Sequence, residues 1–87
     1  MIDLYTAQQI LHDENALTLE GHESAMVAIG TRCGEPTLAV YDRDKLIESF
    51  MSKEEWDYED AQEWVEFNIE GAWMGKETPM ILNMIGE

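Results

Sequence analysis

The sequence has little cysteine and no long apolar run. One cysteine, Cys33, permits no internal disulfide, which is typical of a reducing compartment. No apolar stretch approaches the roughly 20 residues that a membrane-spanning helix needs. The N-terminus, Met-Ile-Asp-Leu-Tyr-Thr, lacks the basic and apolar regions of a secretory signal peptide. We therefore expect a cytoplasmic protein that does not contact membranes.

Positive charge is the scarcest property of the chain. Five lysine and arginine residues stand against 19 aspartate and glutamate residues, for a formal net charge of −14. Such a surface repels the phosphates of DNA and RNA and attracts basic protein surfaces. Direct nucleic-acid binding is excluded on this ground, and a partner protein with a basic surface is expected.

Residues that bind metals or act as nucleophiles are also few. His12, His22 and Cys33 match no zinc-binding spacing. Asp42 and Asp44 resemble the start of a calcium loop, but the next ligand, the glycine and the final glutamate of such a loop are replaced by Leu46, Ile47 and Lys53. No motif for acid–base or nucleophilic catalysis is present either. We therefore expect a protein that is not an enzyme and has no cofactor or metal.

The apolar pattern predicts one α+β domain covering residues 1–87. Two β-rich runs around a loop with glycine and proline predict a hairpin, and a third apolar run begins at Pro79. The element order is α-β-β-α-α-β, with a three-stranded, largely antiparallel sheet packed by two or three helices. We place helices at about 7–14, 43–51 and 57–71, with Thr6, Asp42 and Asp57 as their N-terminal caps, and strands at about 25–31, 37–41 and 80–84.

The stretch Asp57–Gly71 predicts one amphipathic helix with a strongly acidic side. At about 100° per residue, four glutamates fall on one side, one in each turn. These four, which we call the acidic row, are Glu59, Glu63, Glu66 and Glu70. The opposite side is expected to be buried, with Trp64 and Val65 in the core and Asn68 hydrogen-bonded beneath the following turn.

The acidic row has two interpretations. Like charges four residues apart destabilise a helix by about 0.2–0.5 kcal/mol per pair, so the acidic row lowers the stability of its own helix. It is either a solvated face that keeps the protein soluble or a surface that meets basic residues of a partner. A rigid anionic line about 16 Å long would also mimic nucleic-acid phosphates. The candidate partner-binding residues are Glu55, Glu59, Glu63, Glu66, Glu70 and Trp73.

Five short motifs follow one another along about residues 39–82. They are Tyr41-Asp42-Arg43-Asp44-Lys45, Tyr58-Glu59-Asp60-Ala61, Glu66-Phe67-Asn68, Gly71-Ala72 and Gly75-Lys76-Glu77-Thr78-Pro79. Together they resemble a group of small uncharacterised proteins of bacteriophages and prophages. The resemblance implies a phage-related origin and a shared fold, and it transfers no activity.

The sequence thus favours a small, acidic, non-enzymatic interaction protein. It would bind and inhibit or modulate a host protein, such as a defence or nucleic-acid-binding protein, through the acidic row. One alternative is a protein that sequesters a small molecule in a pocket around Tyr41 and Asn68. The other is a structural module that forms a homodimer, because methionine and tryptophan are frequent.

Overall fold

A computed structural model describes residues 1–86 of the chain. It contains three helices and a three-stranded sheet, which confirms the α+β class and the order of the elements. Helix α1 spans Leu4–Asp13, α2 spans Arg43–Glu54 and α3 spans Tyr58–Val65. Strands β1, β2 and β3 span Met26–Gly30, Leu38–Asp42 and Met80–Leu82. A short 3₁₀ turn, Glu23–Ala25, precedes β1.

The sheet is mixed, so the prediction of a largely antiparallel sheet is wrong. Strand β2 lies in the centre and pairs antiparallel with β1 and parallel with β3. The parallel pairing follows from the route of the chain, since α2 and α3 both lie between β2 and β3. Such a crossover returns the chain to the sheet in its original direction.

Aspartate caps begin all three α-helices. Asp42 and Asp57 accept hydrogen bonds from the backbone N–H groups of Lys45 and Asp60, as the sequence predicts. At α1 the predicted cap, Thr6, is wrong. Asp3 is the cap and accepts a bond of 2.8 Å from the Thr6 N–H, so the helix begins earlier than expected.

The core lies between the sheet and the helices. Tyr41 is fully buried at its centre, and its hydroxyl accepts a 2.8 Å hydrogen bond from the Leu19 backbone N–H. Burial raises the pKa of this phenol above its ordinary value. The other buried apolar residues of the cluster are Leu11, Ala25, Ala39, Leu46, Ile47, Phe50, Ala61 and Val65.

A register shift in β1 changes which of its residues face this core. Strict alternation predicts Met26, Ala28 and Gly30 on one face of the strand. The pairing with β2 is irregular between Met26 and Ala28. As a result Met26 and Ile29 both pack against the core, opposite Tyr41 and Ala39.

Candidate partner-binding surface

Helix α3 is anchored to the core by a narrow apolar stripe. Ala61 and Val65 are fully buried, and Ile69, four residues later, packs against the same cluster. Spacing of four residues keeps these side chains on one face of the helix. All the other side chains of the helix are left at the surface or at its boundary.

The predicted helix 57–71 changes character after Val65. Residues Glu66–Glu70 form a π-helical turn, in which the Gly71 N–H donates to the Glu66 carbonyl at 2.9 Å. Wider turns of this kind are rare and shift the side chains that follow them relative to an α-helix. Phe67 is 73% exposed within this turn.

The prediction that Asn68 is buried is wrong. Asn68 is exposed, and its side-chain amide donates to the backbone carbonyl of Trp64 at 3.2 Å. Ile69 takes the inward position that the regular helix period assigned to Asn68. The amide therefore bonds to the backbone of its own helix, four residues earlier, and not to the turn that follows.

Trp64 is also less buried than predicted, at 43% exposed. Its ring lies against Trp56, with centroids 5.3 Å apart and planes inclined at 52°. Phe50 lies 6.5 Å from Trp64 and 6.3 Å from Trp56, so the two indoles rest on the edge of the core. One side of this aromatic group remains open to solvent.

The acidic row is divided into two halves by Arg43. The guanidinium at the start of α2 donates to Glu66 through Nη2 at 3.0 Å and to Glu70 through Nε. The hydrogen bond with Glu70 is the main cause that raises the pKa of Arg43 above its ordinary value, and the negative charges of Glu70 and Glu66 add to it. Glu66 also accepts a 3.0 Å bond from the Gln62 side chain. Glu66 and Glu70 are therefore engaged in intramolecular hydrogen bonds and ion pairs.

The other half of the row faces solvent. Glu59 and Glu63 are exposed, and neither forms a hydrogen bond or ion pair with the part of the chain that the structure describes. Glu55 is exposed at the end of α2 in a left-handed conformation, with a φ of 57°. The free carboxylates of the predicted surface are therefore Glu55, Glu59 and Glu63.

Trp73, the last predicted contact residue, lies at a different place. It is 77% exposed and borders a depression of about 500 Å³ with Leu38 and Met80. Arg32 and Lys76, two of the five basic residues, lie on the same depression. Trp73 does not join the free carboxylates of α3.

A smaller depression beside α3 combines aromatic and acidic groups. It encloses about 360 Å³, and we call it the aromatic notch. Its lining is Trp56, Asp60, Glu63, Trp64, Phe67 and Asn68. Sequence reasoning missed this site because it assigned Trp64 and Asn68 to the core. The available signal was the recurrence of Asp60, Trp64 and Phe67 at helical spacing.

Tyr41 and Asn68, which were predicted to line one small-molecule pocket, border two different depressions of the described residues. Asn68 borders the aromatic notch, whereas Tyr41 borders a separate depression of about 290 Å³ next to α1. The Tyr41 hydroxyl is moreover engaged by Leu19. Within residues 1–86, no three histidine, cysteine or acidic side chains are grouped as a metal site.

No protein-family model, curated protein or solved structure matches the chain. Across the described residues, no helix is both long enough and apolar enough to cross a membrane.

Proposed function

We propose that this chain is a small acidic interaction protein of phage type that binds a basic surface on a host protein and inhibits or modulates it. It acts without catalysis, through the exposed side of α3. The observation that carries the proposal is the pairing of two unpartnered carboxylates, Glu59 and Glu63, with exposed aromatic rings at Trp64 and Phe67.

Exposed aromatic rings next to free charges are typical of protein-binding surfaces. Interfaces are enriched in tryptophan and phenylalanine at their centres and are polar at their rims. The net charge of −14 speeds encounter with a basic partner and disfavours anionic ones. Glu66 and Glu70 are paired with Arg43, so only part of the acidic row is available to a partner. We therefore favour a local contact surface over mimicry of a nucleic-acid strand by the whole acidic row.

The test is affinity capture from bacterial lysate with a charge-reversed variant. Glu59→Lys with Glu63→Lys should abolish capture of the partner while circular dichroism stays native. The matched control is Glu20→Lys with Glu35→Lys, two exposed positions outside α3. Each reversal adds two charges, so both variants move the net charge from −14 to −10. Capture that is equal for the two variants would refute the proposed surface.

A homodimer is the second candidate function. The depression at Trp73 has a volume of about 500 Å³, and its apolar lining includes Leu38 and Met80, the first residues of β2 and β3. Exposed apolar surface of this kind favours association. In light scattering, this candidate requires a mass that rises with protein concentration and a return to monomer in Trp73→Ser.

A further inference from the structure

Two neighbouring carboxylate pairs lie along α3 and the π-helical turn that follows it, and only one pair has a basic partner. The first pair, Glu66 and Glu70, forms ion pairs with the guanidinium of Arg43. The second pair, Asp60 and Glu63, borders the aromatic notch and has no basic residue in its lining. An arginine of the chain itself is thus bound by the first pair, whereas the second pair has no such partner among the described residues.

The notch offers a second source of attraction for a cation. Its rings come from Trp56, Trp64 and Phe67, and the two indoles lie 5.3 Å apart at an angle of 52°. The face of an indole is the preferred aromatic surface for a cation. A planar guanidinium stacks on such a ring while its N–H groups reach carboxylates at the side, which a lysine ammonium cannot do as well.

From this geometry we infer that the aromatic notch is a binding site for a single arginine side chain of the partner protein. The inference rests on the proposed function and names the residue that the partner inserts. The volume of about 360 Å³ is at the low end for ligand pockets and suits one long side chain. A second copy of this chain is a poor source of that arginine, because both copies would carry a charge of −14.

The experiment titrates the protein with N-acetyl-argininamide and follows the three indole N–H signals by NMR. Trp56 and Trp64 line the notch, whereas Trp73 lies in the other depression and is an internal control. We expect saturable shifts of the first two signals in the millimolar range and none of the third. The citrulline analogue, which has the same shape without charge, should leave all three signals in place.

Two variants separate the rings from the charges. Phe67→Ala removes one ring at a largely exposed position and changes no charge. Asp60→Asn with Glu63→Gln removes the two carboxylates and leaves the rings. Each should weaken binding of N-acetyl-argininamide by roughly threefold to tenfold, as expected for cation–π contacts and exposed ion pairs.

Three results would overturn the arginine site: equal shifts at all three indoles, equal binding of citrulline, or equal binding of N-acetyl-lysinamide. The captured partner then separates this inference from the proposed function. If the partner is lost with Glu59→Lys and Glu63→Lys but binds Phe67→Ala unchanged, the acidic surface stands and the arginine site is wrong. If N-acetyl-argininamide binds in the notch but capture does not depend on these glutamates, the proposed function fails. The notch then remains an arginine-binding site, but its assignment to the partner protein is overturned.

Discussion

His22 is a buried residue whose charge state affects stability. Its ring is stacked on Phe50 with centroids 4.1 Å apart, and Nδ1 shares a 2.7 Å hydrogen bond with the Ser49 hydroxyl. Burial is the main cause that lowers the pKa of His22 below its ordinary value of 6.5, and Lys53 adds to it. Glu23 and Glu54 oppose this shift without reversing it. The folded protein therefore favours neutral His22.

This shift predicts a pH-dependent contribution to folding. Since the folded pKa lies below the unfolded one, the unfolded chain takes up the proton first as the pH falls. The contribution of His22 is therefore complete above about pH 6.5 and is lost below it, by at most about 1.4 kcal/mol per pH unit. Urea unfolding of the wild type and His22→Gln between about pH 7.5 and 5.5 measures it. A free-energy difference that stays constant over this range would contradict the prediction.

Arg43 joins two elements, the start of α2 and the π-helical turn that follows α3. Without it, Glu66 and Glu70 would repel each other four residues apart. The Arg43 side chain is 16% exposed, whereas Glu66 and Glu70 are 45% and 30% exposed, so solvent screens the pairs in part. The pairs thus hold the turn in place with moderate strength.

We predict that Arg43→Gln lowers the free energy of unfolding by about 1 kcal/mol. The matched control is Lys45→Gln, which removes the same charge from an exposed position on α2 that has no ion pair among the described residues. The control should change stability by less than about 0.5 kcal/mol. Urea unfolding measures both, and amide exchange at residues 66–70 should accelerate only in Arg43→Gln. Equal effects of the two variants would show that charge, and not the contact, matters.

The same elements show what could be predicted from the sequence. The caps Asp42 and Asp57 were predictable because a cap depends on residues three positions apart. The direction of β3 relative to β2 was not predictable, because it depends on the path of the chain through α2 and α3 between the two strands. The switch to a π-helical turn at Glu66 was not predictable from periodicity either. That switch, with the tilted contact between Trp56 and Trp64, decides that Asn68 is exposed and that the aromatic notch exists.

At the scale of the whole molecule, net charge separates the two candidate functions. Binding of a basic partner brings opposite charges together, so salt should weaken it. Association of two copies, each with a charge of −14, is opposed by repulsion, so salt should strengthen it. The sign of the salt effect is therefore different for the acidic surface of α3 and for the depression at Trp73.

We predict that salt weakens capture of the partner and does not produce dimers. Raising the salt from about 0.05 M to about 0.3 M shortens the Debye length from more than 10 Å to less than 8 Å, which screens Glu59 and Glu63. Partner affinity measured by calorimetry should fall across this range, and Glu59→Gln with Glu63→Gln should make the fall less steep. Light scattering of the protein alone over the same range is the companion measurement. A mass that doubles as salt rises, together with a partner affinity that does not change, would favour the homodimer through Trp73 instead.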